Sequence, residues 1–294
     1  MRHDDLTAWL AGGPRVLDGA TGSELIRRGV AAAGKLWGVG ALIEAPEEVR
    51  RLHRDYAAAG AEALTAATFR VAPFSLRRAG LEGRADELAT LAVRLAREGA
   101  ADAGRDVVVL ASQTTLEDCY RPDLVPDDAT LRREHAATSA LLAAAGADAL
   151  LLETFNTVRE ARIAVDAAVA TGLPVIACFT CVSGSRVLSG EEARAAATAV
   201  TVPGVVAAGP NCTAVGHMLP TLGVMAEATP LPLVAYANNA WFDEDARWFT
   251  ADPVSPSRYG FCSLAWVASG ARLVGGCCGT GPEHISAVVS HLRR

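Results

Sequence analysis

The sequence predicts a single (β/α)8 barrel of the TIM type over residues 1–294, and three observations carry that expectation. Eight short runs rich in Val, Leu and Ala recur along the chain, with helix-like stretches between them. Most of these runs are almost continuously apolar, as parallel strands buried on both faces are. The residues that end them are polar and chemically capable: Asp18, Thr65 with Thr68, Gln113, Glu153, Thr180, Asn211 with Cys212, Asn238 with Asn239, and Cys277 with Cys278. Barrel enzymes keep their chemistry at the C-terminal strand ends, where all of these fall.

In order, strands are expected at 14–18, 61–65, 106–111, 147–153, 173–179, 204–210, 231–236 and 271–275. Periodic Ala, Leu and Arg place helices at 46–59, 85–103, 129–145 and 158–170. Gly146, Gly172 and Gly270 stand where helices should stop. Ser189-Gly190-Glu191-Glu192 and Thr280-Gly281-Pro282-Glu283 read as capping boxes that start two more, the second with a proline suited to a first turn. The rival, a doubly wound sheet, would carry a G-x-G-x-x-G turn after its first strand, and Asp18-Gly19-Ala20-Thr21-Gly22 lacks that spacing.

Composition narrows the function. A net charge of −6 argues against nucleic acid or an anionic membrane as partner. No run approaches membrane-spanning length, and residues 1–6 lack the apolar stretch of a signal peptide, so a cytoplasmic protein acting on small molecules is expected, as a monomer or small homo-oligomer. The seven cysteines are an odd number, which suits thiols or metal ligands better than a disulfide framework. Lys35 is the only lysine and lies in a Gly-rich stretch, which disfavours a Schiff-base aldolase.

The run Gly275-Gly276-Cys277-Cys278-Gly279-Thr280 is the most informative. Adjacent side chains on a strand point to opposite faces, so both sulfurs reach one point only if the backbone turns sharply, which the glycines permit. Cys212 ends another strand-like run. Buried cysteines also serve as small hydrophobes, but a Cys-Cys pair with a third cysteine at another strand end forms a soft Zn2+ site with one position open. Asp18 and Glu153 suit gripping the ammonium of an amino acid, with the backbone near Gly19 and the hydroxyls of Thr65 or Thr68 taking its carboxylate. They could equally be capping or loop carboxylates. A glycosidase pair is the other reading, and it leaves the thiols without a role. Cys178-Phe179-Thr180-Cys181 has C-x-x-C spacing but sits at a strand end rather than a helix start. Cys119 and Cys262 read as structural, and His217 as a capping or surface residue. Trp37, Tyr236, Trp241, Phe242 and Trp248 include candidates for an aromatic cage around a cation.

At these residues the chain resembles the homocysteine S-methyltransferase family. The matching motifs are Asp18-Gly19-Ala20-Thr21-Gly22-Ser23-Glu24-Leu25, Glu153-Thr154-Phe155, Ser189-Gly190-Glu191, Gly209-Pro210-Asn211-Cys212 and the Gly275–Thr280 run, in family order. The resemblance implies that Cys212, Cys277 and Cys278 bind zinc. It places Asp18, Gly19, Thr65, Thr68, Glu153 and Asn211 in the homocysteine site. The implied reaction moves a methyl group from a sulfonium donor to the zinc-bound thiolate of L-homocysteine, giving methionine. Similar enzymes often read Tyr-Pro-Asn after the seventh strand, where this chain has Tyr236-Ala237-Asn238; Tyr236, Asn238 and Trp241 are the candidate donor-side residues. The chain ends one helix after the cysteine pair, without a betaine-type extension, which favours S-methylmethionine or S-adenosylmethionine as donor. The alternatives are another thiol or selenol acceptor, a betaine or corrinoid-protein donor, and a non-catalytic zinc or amino-acid binding module.

Overall fold

The computed structural model describes residues 3–30, 36–239, 241–242, 248–249 and 253–293. All eight expected strands are present: β1 (Arg15–Val16), β2 (Ala63–Ala66), β3 (Val108–Gln113), β4 (Ala149–Phe155), β5 (Val175–Phe179), β6 (Val205–Ala214), β7 (Leu233–Asn238) and β8 (Ala271–Gly276). They pair in parallel around one sheet, in the order β1-β8-β7-β6-β5-β4-β3-β2. A bridge between Leu17 and Ala63 joins the two ends, with Asp18 N–H donating to the Ala63 carbonyl at 3.1 Å. The sheet is thereby closed into a TIM-type barrel, and no polar edge is left open along these strands.

Helices follow the strands on the outside. Pro46–Ala58, Ala85–Asp102, Asp128–Ala144 and Val158–Val169 match the sequence periodicity to within a residue at each end. Gly146, Gly172 and Gly270 take φ of 87°, 81° and 103°, the left-handed turn that ends a helix. Both expected capping boxes are corrected. The helix after β5 begins at Ala193, and Ser189 Oγ instead donates to Glu191, whose carboxylate accepts from Val158 N–H at 2.9 Å. The last helix, Pro282–Leu292, is capped at Gly281, whose N–H donates to His284 Nδ1 at 3.1 Å, while Thr280 Oγ1 is used by the cysteine turn. Two antiparallel ribbons decorate the rim, Cys181–Ser183 with Arg186–Val187 and Trp241–Phe242 with Trp248–Phe249.

One apolar layer lies between strands and helices, and a second fills the barrel. The inner layer holds Leu17, Leu110, Leu151, Ile176, Val234 and Leu273, together with Leu6 and Leu10 from the helix His3–Ala11. That helix leads directly into β1 and packs against β6 and β8, so it plugs the barrel at the N-terminal strand ends. Arg15 fastens it, donating to the Trp9 carbonyl at 2.9 Å. The opposite end is left as the mouth. Leu10 is fully buried, so Leu10→Ala should lower unfolding free energy by about 2–5 kcal/mol, read by urea titration as a shift in midpoint at constant slope.

Candidate metal centre and substrate cavity

Two strained residues organise the mouth. Among the described residues only Thr154 (φ 62°) and Cys212 (φ 47°) are non-glycine with positive φ. Such a conformation costs on the order of 1–3 kcal/mol and persists only where the surroundings enforce it. Here Asn211 supplies the enforcement. Its Oδ1 accepts from Thr154 N–H at 2.8 Å, and its Nδ2 donates to Thr154 Oγ1 at 2.9 Å. The ladders at these ends also slip register, between Leu152 and Phe155 on β4 and between Asn211 and Ala214 on β6. These bulges re-aim the side chains next to them, Glu153 and Cys212.

The cysteine pair is turned by its glycines. A Cβ on Gly276 would lie 2.2 Å from Thr280 Oγ1, so only glycine lets the chain fold back there. Gly279 takes φ 76°, and Thr280 Oγ1 donates to the Cys277 carbonyl at 2.7 Å. Cys277 N–H is held by the Ala237 carbonyl at 2.9 Å and the Cys278 carbonyl by Asn239 N–H at 2.7 Å. As a result the sulfurs of Cys212, Cys277 and Cys278 lie within 4.8 Å of one another, with Cys212 and Cys278 3.9 Å apart. Two sulfurs bound at about 2.3 Å to a tetrahedral ion stand about 3.8 Å apart. The cluster therefore fits a metal ion, and no other group of His, Cys, Asp or Glu among the described residues converges in this way.

Hydrogen bonds from Cys277 and Cys278, aided by Tyr120 and Asn238, hold Cys212 well below the ordinary thiol range, while those same bonds hold the other two thiols up. A cation entering the cluster would favour the thiolate forms and displace the thiol protons. Cys212 is buried at the base and the pair is half exposed toward the mouth.

Beside the thiols lies an acidic corner. Asp18 accepts from Thr65 N–H at 2.7 Å and from Thr65 Oγ1 at 2.9 Å. Glu153 accepts from Ser112 Oγ and, at 3.2 Å, from Tyr236 OH. Burial pushes both carboxyls up, Glu153 to about 7, and the charge of Glu153 raises Asp18 further. Neither has a basic partner among the described residues. A cation brought between two such buried carboxyls would favour their charged forms.

The thiols and the acidic corner share one cavity of about 1530 Å³. It is lined by Asp18, Gly19, Thr65, Glu153, Tyr236, Cys212, Cys277 and Cys278 among the residues singled out in the sequence. Others stand behind the wall. Thr68 Oγ1 donates to the Ser112 carbonyl at 2.9 Å, Asn211 is spent on Thr154, and Asn238 Nδ2 donates to the Cys212 carbonyl at 3.2 Å. Tyr236 OH donates to the Glu153 carboxylate at 3.2 Å. The side chains of Trp241, Phe242 and Trp248 lie outside the described residues; Trp37 lines the cavity. Cys178 and Cys181 are buried in different layers, one inside the barrel and one outside, which separates the C-x-x-C pair. His217 is exposed.

Sequence reasoning missed Tyr120, whose hydroxyl reaches Cys212 Sγ at 3.0 Å from the loop after β3, as well as Ser112 and the cavity-lining Arg70 and Cys119. Ser112 was findable: it precedes Gln113 on the same strand, and the two must face opposite ways. Gln113 turns outward to His135 Nδ1 at 2.9 Å.

A closed parallel barrel whose mouth joins three converging thiols to two buried carboxyls is a TIM-type barrel with a three-cysteine metal site. The family model for Homocysteine S-methyltransferase matches residues 15–292, and the chain belongs to that family. It is 30% identical to Homocysteine S-methyltransferase 4 of Zea mays over 96% of this chain and 90% of that one. It is also 30% identical to Homocysteine S-methyltransferase of Escherichia coli, over 93% of each chain. The crystal structure of the metallated form of the Escherichia coli homocysteine methyltransferase MmuM superposes with a TM-score of 0.83 at 29% identity, covering 96% of both chains.

Two outcomes follow from the site. Cys212→Ala should abolish stoichiometric metal binding, read by elemental analysis after dialysis, while the far-UV spectrum stays that of the parent. The raised carboxyl of Glu153 titrates at about 7 folded against an ordinary 4.5, so between those values the folded state holds the extra proton and stability falls as pH rises. In metal-free protein the difference Glu153→Gln minus parent should therefore grow by on the order of 2–3 kcal/mol from about pH 5 to about pH 8, measured by urea unfolding at each pH.

Proposed function

We propose that this protein is a zinc-dependent methyltransferase that moves a methyl group from S-methylmethionine or S-adenosylmethionine to the thiol of L-homocysteine, giving methionine, with one barrel domain holding both substrates. The observation that carries the reading is the shared cavity, which sets two buried carboxyls, suited to an ammonium group, beside a three-thiol cluster. Homocysteine carries an ammonium group at one end and a thiol at the other. Three thiolates suit zinc because the donor set is soft, and the cluster has tetrahedral spacing with one position left open. When bound, zinc supplies a positive centre at which an added thiol gives up its proton near neutral pH.

The chain's residues do the rest. Asp18 and Glu153 take the ammonium, oriented by Thr65, Ser112 and Tyr236. Asn211 fixes the two strained turns that aim Glu153 and Cys212. Tyr120 meets the Cys212 sulfur from above the cluster. The thiol sulfur attacks the methyl carbon; the new carbon–sulfur bond forms as the donor's breaks, and the electron pair returns to the donor sulfur as a neutral thioether. Because the positive charge on the donor is lost in this step, alignment and exclusion of water are the main requirements.

The test is a methyl-transfer assay on zinc-loaded protein, with homocysteine and S-methylmethionine, S-adenosylmethionine or betaine in parallel. Methionine should appear with a sulfonium donor and vanish on chelation; methionine from betaine alone, or from none, contradicts the reading. Asp18→Asn should retain zinc and raise the homocysteine KM about 10- to 100-fold, the loss of one charged hydrogen bond of roughly 1.5–3 kcal/mol. An unchanged KM removes Asp18 from the ammonium site.

A further inference from the structure

The cavity holds one cation that the acceptor site does not explain. Three arginines line it: Arg70, Arg78 and Arg121. Arg78 is spent on Glu117 through paired bonds of 2.6 Å, and Arg121 on Asp123 at 2.7 and 2.9 Å. Arg70 has no carboxylate partner among the described residues. Its Nη1 donates to the carbonyls of Thr115 and Glu117, both at 3.0 Å, and its guanidinium carbon lies 5.1 Å from the centre of the Phe69 ring. Those contacts pin one edge of the guanidinium and leave its other N–H groups without a partner among the described residues. The side chain is half-buried. Its charge also reaches Cys119, where it works against the burial that pushes that thiol up to about 12.

Most side chains and amides expected to take a carboxylate are already engaged. Thr65 gives its N–H and hydroxyl to Asp18, Thr68 gives its hydroxyl to the Ser112 carbonyl, and Ala20 N–H goes to Thr280. A zwitterionic amino acid entering this cavity finds two carboxylates for its ammonium and needs a cation for its other end. We propose that Arg70 is the carboxylate anchor of the cavity, binding the α-carboxylate of an amino-acid substrate through its free guanidinium edge. Planar two-point pairing with a carboxylate is what a guanidinium with one pinned edge is shaped to make. The inference rests on the proposed function, because it takes the cavity's ligands to be amino acids. Acceptor and sulfonium donor both carry that group, and the experiment separates them.

The test is titration calorimetry on zinc-loaded parent and Arg70→Met protein with four probes: L-homocysteine, S-methyl-L-methionine, and the carboxamide of each. Metal content and thermal midpoint are measured on the same samples, and Arg70→Lys serves as the conservative variant. For one of the two amino acids, the parent should bind the acid at least about 10-fold more tightly than the carboxamide. Arg70→Met should lose that preference by weakening acid binding alone, and Arg70→Lys should recover part of it. The amino acid affected names the source of the carboxylate. A purely structural role in holding the carbonyls of Thr115 and Glu117 would weaken acid and amide alike, or shift only the thermal midpoint. An acid preference that survives in Arg70→Met, or an equal loss for acid and amide, overturns the proposal. If the parent binds none of the four probes, the proposed function fails first, and that outcome is distinct from parent binding that Arg70→Met leaves intact.

Discussion

The site depends on one side-chain exchange between strands that are not neighbours in the sheet. Asn211 at the end of β6 closes two hydrogen bonds with Thr154 at the end of β4, spanning the end of β5. Each partner sits beside a functional group and includes or adjoins a left-handed residue. Remove the exchange and both turns lose their reason to stay strained, so the carboxylate of Glu153 and the sulfur of Cys212 would drift together. This is how a rigid barrel holds catalytic geometry on its irregular rim: the strain is local, and a buried amide sustains it. The mouth is the open end because the N-terminal helix, with Leu6 and Leu10, fills the other.

Electrostatics then choose the ligands. The cavity wall carries two carboxyls that burial pushes up and a thiol cluster in which the neighbouring thiols hold Cys212 down. The charged forms of these groups are unfavourable until cations enter. In the proposed function, a soft metal at the sulfurs and an ammonium at the carboxyls would favour them at two points. Arg70 adds the opposite sign farther round the wall. Sign and position thus restrict the ligand more tightly than shape does in so roomy a cavity.

The barrel was legible because its signals are local and repeated. Apolar runs of strand length and glycines after several helices reflect the chain's immediate neighbours, and all eight strands followed from them. The three clustered cysteines were legible for a different reason: glycine on both sides of a Cys-Cys pair has few structural explanations. Which way a side chain turns was less legible. Asn211, Asn238 and Tyr236 all stand at strand ends, and in the fold they bond Thr154, the Cys212 carbonyl and Glu153. Gln113 was read for Ser112 by a single step along β3, which on a strand reverses the face. Tyr120 and Arg70 lie on loops without period or motif, so only the folded chain reveals that they meet the cavity. The capping boxes misled because Ser189 and Thr280 found longer-range partners than the helix ends beside them.

The central claim is that the three-cysteine cluster and the acidic corner act on one molecule, an amino acid that brings its thiol to the metal. X-ray absorption at the zinc edge, taken on zinc-loaded protein before and after L-homocysteine, tests it most directly. The account predicts three sulfur neighbours of zinc without the amino acid and four with it, and it predicts that Asp18→Asn raises the homocysteine concentration needed for the change. A zinc shell that stays at three sulfurs in saturating homocysteine, or that already holds four protein ligands and does not respond, would contradict it.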